Sequence, residues 1–533
     1  MRGVTERRRA ISRAGLPAGA LSGALSGVLT AAAALGVAQL AAGITGPLGS
    51  PVDAIGGVAI NLTPVPVKEF AIAHFGSRDK DALVTGILIV LLLAAAGAGT
   101  LAVRRRWQGL AVLMLFGAAG AAAAASQPGA TGTDALPTLA GTAAAAVVLA
   151  TTTRAARGAF RPVARTVTTA PAGPELPPGR SRRRFLVTGA GAVAIAAASG
   201  GAGQLLLGRF SVATARAQVR LPVPAVAARP VPAGAQLPVS GLSPFFTPNS
   251  QFYRVDTDLV VPQVAPDSWT LRIDGMVRRP VEITFDELLR MPLTEADITL
   301  VCVSNEVGGP YAGNARWLGV PLAGLLRRAG VKAGADQVLS TGTDGMTIST
   351  PLQAVLDGRN ALIAVGMNGQ PLPVAHGFPA RMVVPGLYGY VSATKWVTRL
   401  TVSTFASQRA YWTRRGYAAQ APVKTESRID VPKPLAQVPA GRVPVAGVAW
   451  APHRGIAAVE VSVDNGPWHS ARLAAADGID TWRQWMWAWD AVPGLHSLRV
   501  RATDAAGVTQ TSREDPAFPD GASGWDSVVV TVT

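Results

Sequence analysis

Cys302 is the only thiol in the chain, in Thr299-Leu300-Val301-Cys302-Val303-Ser304-Asn305. As a thiolate it would be a nucleophile or a soft metal ligand; protonated and buried it would be inert packing. A single cysteine excludes an intramolecular disulfide and any all-cysteine zinc or iron–sulfur centre. A second set of reactive residue types lies between Met367 and Trp396, where His376, Arg381 and Lys395 stand among closely spaced glycines and prolines. Glycine lets a backbone approach a ligand closely. Arginine offers phosphate a planar fork and lysine a point charge, and histidine can donate to the same anion. The bland alternative is surface charge on a turn-rich segment.

Such groups need elements to hold them. Ile298–Val303 reads as a buried strand that delivers Cys302. Trp269–Ile273 alternates like a strand, and Thr284–Leu289 starts a short helix with Glu287 favourably placed on its N-terminal dipole. Pro321–Arg328 reads as a helix that stops at Gly330. Ala361–Val365, Arg381–Val384 and Val397–Val402 are further strand candidates. Residues 245–423 thus read as one α+β domain. From 424 to 533 the pattern becomes short, regularly spaced strands, at Val443–Trp450, Ala458–Val463, Ser470–Leu473, Trp482–Trp489, Ser497–Thr503 and Ser527–Val532. That spacing predicts an immunoglobulin-like β-sandwich, with Asp464-Asn465-Gly466 as a hairpin turn and Trp482, Trp485, Trp487 and Trp489 as core or rim packing.

The first 209 residues are different. Of the 533 residues only 15% are charged and 49% are hydrophobic, and the mean hydropathy is +0.29, which excludes a disordered chain and disfavours a wholly soluble one. Uncharged runs at Pro17–Ala42, Ala82–Val103, Trp107–Ser126, Ala135–Thr153 and Phe185–Gly208 are each long enough to span a bilayer. The net charge of +17 is concentrated in residues 1–16, 104–106 and 154–184, which border those runs in alternate loops. This pattern favours a membrane protein over a nucleic-acid binder. By the positive-inside rule the N-terminus is cytoplasmic and everything after the fifth span is extracytoplasmic. Ser181-Arg182-Arg183-Arg184-Phe185-Leu186 before the fifth span is similar to a twin-arginine export signal, although an ordinary positive flank explains it equally well. The prolines of residues 210–244 predict an extended linker.

On Phe252-Tyr253-Arg254, Cys302-x-x-Asn305, Ala315-Arg316-Trp317-Leu318-Gly319 and the block from Asn368-Gly369 to Lys395-Trp396, the chain resembles the sulfite oxidase family of molybdenum enzymes over about residues 245–530. Tyr411-Trp412 and Arg414-Arg415-Gly416-Tyr417 resemble the segment that joins that family's catalytic domain to its dimerisation domain. The resemblance implies a single pyranopterin cofactor whose molybdenum takes Cys302 as its protein ligand. It places Phe252, Tyr253, Arg254, Asp256, Asp344, His376, Arg381 and Lys395 around the pterin and its phosphate, and Arg254 and Tyr417 beside the substrate. The implied reaction is two-electron oxygen-atom transfer on a small oxo substrate, with a separate cytochrome or quinone-linked electron partner. The resemblance leaves room for a homodimer.

Three departures concern the substrate. Sulfite-oxidising members carry a second arginine shortly after the metal cysteine, where this chain reads Asn305-Glu306-Val307-Gly308-Gly309. Asp256 stands where many members have histidine, and Gly416 where aspartate is usual. These changes also fit a sulfoxide or N-oxide reductase. A non-catalytic surface binding module on a retired enzyme fold is the third reading.

Overall fold

The computed structural model describes residues 3–46, 49–75, 79–159 and 179–533. Part of the basic segment 154–184, and the first two residues, lie outside these. The chain forms two compact units, Met1–Ser211 with Thr257–Val260, and Val212–Asp256 with Val261–Thr533.

The first unit is helical: α1 (Gly3–Thr45), α2 (Pro51–Leu62), α3 (Val65–Phe75), α4 (Asp79–Arg104), α5 (Arg106–Ala125), α6 (Leu136–Ala159) and α7 (Gly179–Leu207). Among the described residues five segments are long and apolar enough to cross a membrane: Gly19–Thr45, Lys80–Arg104, Arg106–Ala125, Leu136–Arg157 and Arg182–Gln218. Small residues let these helices touch through backbone. A Cβ on Gly27 of α1 would fall 1.8 Å from the Ala95 carbonyl oxygen of α4. The short α2 and α3 were not expected from hydropathy. Pro51 starts α2, and Thr63, extended ahead of Pro64, ends it.

The second unit carries two sheets in its α+β part. One has the order β2 (Val281–Thr284), β1 (Thr270–Gly275), β10 (Val397–Ser403), β5 (Gln337–Gly342), β6 (Thr347–Pro351). The other runs β3 (Thr294–Val301), β4 (Ala312–Pro321), β7 (Leu362–Met367), β8 (Gln370–Pro371), with β9 (Arg381–Val383) also pairing with β7. The expected helix ends are met by local chemistry. A Thr284–Glu287 capping box opens Phe285–Arg290, and Gly330, left-handed at φ 74°, closes Leu322–Ala329.

The C-terminal part has two antiparallel-rich sheets. Their orders are β11 (Glu426–Val431), β13 (Gly441–Trp450), β17 (Arg483–Ala491), β16 (Arg472–Leu473), and β12 (Gln437–Val438), β19 (Asp526–Val532), β18 (Gly494–Asp504), β14 (Ile456–Val463), β15 (Trp468–Ser470). Val445 and Trp485 from the first sheet share a core with Val461, Val500 and Val530 from the second. The single strand expected at Ser470–Leu473 is two strands, in different sheets. Between them the Ala471 N–H donates to the Val459 carbonyl at 2.8 Å. Asp464 and Asn465, the two central residues of the β14–β15 turn, both take positive φ, and the Gly466 N–H closes the turn on the Val463 carbonyl at 2.7 Å.

The proline-rich segment differs from the extended linker expected: it opens with a short helix, Ala213–Gln218, and from Val212 onward it belongs to the second unit and is strapped to it. Arg216 donates to the Leu372 and Pro371 carbonyls at 2.7 Å each. The Leu237 N–H donates to Gln484 Oε1 at 2.7 Å.

Candidate functional site

Strand β3 is buried from Ile298 to Val301 and ends one residue before Cys302, two residues earlier than its apolar run suggests. The Cys302 N–H donates to the Tyr311 carbonyl at 2.9 Å, and the Cys302 carbonyl accepts the Asn305 N–H at 3.1 Å. Asn305 Oδ1 then accepts the Tyr311 N–H at 2.7 Å. These bonds close the 302–311 loop and leave the thiol 9% exposed. Burial pushes the thiol pKa up, while hydrogen bonds from Ser304 and the charge of Lys395 pull the other way.

Phe252 packs edge-on to Trp317 and His376, at centroid distances of 5.9 and 5.6 Å. It fits because residue 313 of β4 is glycine; a Cβ there would lie 2.8 Å from the Phe252 ring. Tyr253 stacks on Phe252, and burial, then the neighbouring Cys302, raises its phenol pKa. Asp256 receives Arg254 Nε at 2.7 Å and Lys395 Nζ at 2.5 Å.

Arg381 lies over Trp317, 5.1 Å from the ring centroid. It donates to the carbonyls of His376 at 3.1 Å and Ala393 at 3.3 Å. Its Nε is buried without a partner among the described residues. Burial drives the Arg381 pKa down to about 10. It also drives Lys395 down to about 8, against the pull of Asp256. His376 falls to about 4, by burial first and then by the charges of Arg381 and Lys395. Three basic side chains therefore share a dry site with one carboxylate. Burial penalises all three charged forms, and a bound anion would offset that penalty.

Asp344 sits on the β5–β6 turn, its Oδ1 accepting the Met346 N–H at 3.0 Å. The turn abuts the cation segment, since the Thr343 N–H donates to the Trp396 carbonyl at 3.0 Å. Thr343 Oγ1 is buried and unpartnered among the described residues. Phe252, Tyr253, Arg254, Asp256, His376, Arg381, Lys395 and Cys302 thus form one electrostatically connected group, with Asp344 beside it. Tyr417 lies in an aromatic cluster, with ring centroids 5.4 Å from Tyr390, 5.1 Å from Trp412 and 5.0 Å from Phe518. Gly416 before it has φ 96°, a conformation that aspartate adopts only under strain. Thr343 carried no local sequence signal, and Asn305, named in the Cys302-x-x-Asn305 motif, gave no sign that its side chain closes the loop.

Residues 258–412 match the family described as oxidoreductase molybdopterin binding domain. Sulfite oxidase from Gallus gallus is 32% identical, over 46% of this chain and 62% of that protein. The human mitochondrial sulfite oxidase is 31% identical, over 46% of this chain and 52% of that one. The chain carries an oxidoreductase molybdopterin binding domain and is similar in sequence to sulfite oxidases. It spans about half to three-fifths of those sulfite oxidases. An NADH nitrate reductase from Solanum lycopersicum is 33% identical over 28% of this chain and 19% of its own length. Among solved structures, the sulfane dehydrogenase SoxCD from Paracoccus pantotrophus matches at 24% identity and a TM-score of 0.48, over 54% of this chain and 84% of that one.

The residues present fit the molybdenum cofactor of this family. The buried Arg381 Nε and Thr343 Oγ1 await partners, and the cations await an anion such as the pterin phosphate. Among the described residues no three His, Cys, Asp or Glu side chains could hold a metal by themselves. A metal at Cys302 would therefore draw its other donors from a non-protein group, which a dithiolene supplies.

Proposed function

We propose that the chain is a membrane-anchored molybdenum–pterin oxidoreductase that performs two-electron oxygen-atom transfer on a small oxo substrate outside the cytoplasmic membrane. The observation that carries this is the convergence of one buried thiol with Arg381, Lys395 and His376, which lie far apart from it in sequence. Cys302 would hold the metal. Phe252, Tyr253, Asp256, Asp344, His376, Arg381 and Lys395 would hold a single pyranopterin and its phosphate. The bound group supplies the two-electron redox centre and the oxo-transfer position. Arg254, held by Asp256, and Tyr417 would orient the substrate by hydrogen bonds.

The five apolar segments support the anchor, and the basic loops support a cytoplasmic N-terminus with an extracytoplasmic catalytic part. Export by the twin-arginine route would suit a domain that folds around its cofactor first. The two C-terminal sheets sharing one core support an immunoglobulin-like domain, available for a homodimer. Electrons would pass to a separate cytochrome or quinone-linked partner.

Purified chain should contain about one molybdenum per molecule by elemental analysis. Cys302→Ser should stay folded but lose the metal and all turnover. A Cys302→Ser protein with normal metal content would remove the proposed ligand.

A second reading, reduction of sulfoxides or N-oxides, is favoured by the charge beside Cys302. Arg254 is paired with Asp256, a carboxylate it shares with Lys395. A Cβ on Gly308 would lie 2.3 Å from Asp526 Oδ1. Arg428 reaches the Gly309 carbonyl at 2.7 Å but is paired with Asp430 at 2.9 Å. Steady-state rates on sulfite and on a sulfoxide panel separate the two directions. Rapid sulfite turnover would defeat the second.

A further inference from the structure

Directly after the candidate site a short stretch of chain leaves the second unit. Thr257–Val260 group with the helical unit, although Asp256 before them and Val261 after them belong to the second. Both flanks are tied down. Asp256 holds Arg254 Nε at 2.7 Å and Lys395 Nζ at 2.5 Å, and Gln263 Oε1 accepts the Val212 N–H at 3.1 Å.

The excursion has a seat. A Cβ on Gly56 of α2 would fall 2.1 Å from Leu259 Cδ1 and 3.6 Å from its Cγ, so Leu259 occupies the space that a side chain at position 56 would fill. Ile87 of α4 borders the same notch, its Cδ1 3.5 Å from that point. One residue earlier, the Asp258 carbonyl accepts a hydrogen bond from the Lys80 ammonium at the start of α4. A glycine notch lets the leucine approach closely, and the charge-assisted bond to the backbone fixes its register. The notch is itself held in place. Gln127 Nε2 donates to the Ala54 carbonyl of α2 at 3.1 Å, and Ala54 shares a core with Ala123 and Ala124 of α5. In the proposed orientation α2, which follows the first span, lies on the same side as the catalytic part.

The inner end of this stretch reaches the chemistry. Phe252 to Asp256 belong to the candidate site, and Asp256 is joined to Thr257 by a single peptide bond. A Cβ on Gly389 would lie 3.7 Å from the Val301 carbonyl oxygen and 3.9 Å from Tyr253 Oη. The Tyr253 phenol therefore stands near the end of β3, the strand that delivers Cys302.

We propose that Leu259 is a positioning residue. Seated at Gly56, it holds the outer end of the Phe252–Asp256 stretch, so that the helical unit sets where Tyr253 and Arg254 stand in the candidate site and is more than an anchor. That Arg254 thereby orients a substrate rests on the oxidoreductase reading; the seating of Leu259 does not.

The test uses full chain in detergent, produced without molybdenum, and needs no turnover. One readout is the rate of maleimide labelling at Cys302, the only cysteine. The other is the rate of tryptic cleavage after Arg254, followed by mass spectrometry. Gly56→Leu fills the notch and evicts Leu259, whereas Leu259→Ala empties it. Each should speed both reactions several-fold. The double variant should be no faster than the faster single one, because both changes break the same contact. Leu259→Met, which refills the notch, and Gly86→Leu, at a helical glycine with open space around it, should match wild type. Unfolding temperatures are measured alongside. A Leu259→Ala protein that is less heat-stable but labels and cleaves at wild-type rates makes Leu259 a packing residue only and overturns the proposal. A folded Gly56→Leu protein with both rates unchanged overturns it too. Native chain that takes up no molybdenum would instead sink the oxidoreductase reading and leave the seating of Leu259 standing.

Discussion

Arg381 shows what a single residue discloses about a missing partner. Its guanidinium is buried, its Nε has no partner among the described residues, and its two bonds go to backbone carbonyls rather than to a carboxylate. A buried charge left in that state is costly, and an anion is what relieves it. Arg381→Met keeps the volume and removes the charge. It should lower molybdenum retention at least about tenfold, because charge-assisted bonds are the strong ones. The cofactor-free protein should lose no thermal stability. A large loss in the empty protein would show instead that Arg381 is a structural strut. Arg381, His376, Lys395 and Cys302 were singled out in the sequence by residue type and by the family resemblance, and the structure brings them near one another. Thr343 was not singled out, because nothing in Gly342-Thr343-Asp344 distinguishes its hydroxyl from one in contact with water.

Elements decide how accurately those residues are held. In β4, residue 313 must be glycine because Phe252 occupies the space of its side chain. Gly313→Ala should cost about 1–3 kcal/mol in overpacking. It should also displace Phe252 from His376, so that cofactor retention falls together with the unfolding temperature. Thr284→Ala is the matching control. It removes the cap of Phe285–Arg290, at about 1 kcal/mol, and should leave metal content unchanged. The elements set by local chemistry were readable in advance, the capped helix and the stop at Gly330 among them. The exact end of β3 was not. Val303 is apolar enough to continue the strand, but the Asn305–Tyr311 hydrogen bond turns the chain away first. The division of Ser470–Leu473 between two sheets escaped for a similar reason, since only strand partners decide it.

For the whole molecule, the alternation of basic loops and apolar segments predicts one orientation. A periplasm-dependent phosphatase fused after Thr533 should be active, and the same reporter fused within residues 104–106 inactive. The reverse pattern would refute the topology. Length, composition and hydropathy by themselves located the five apolar segments, because being long and apolar enough to cross a bilayer depends on about 20 consecutive residues. Turn and cap chemistry likewise determined most elements of the second unit. Only the tertiary structure decided that the proline-rich segment is strapped down, that Arg254 and Lys395 share Asp256, and that the Asn305 side chain closes the loop after Cys302. Those outcomes depend on which distant groups lose water together. Desolvation is a property of three-dimensional packing, and no local pattern of residues records it.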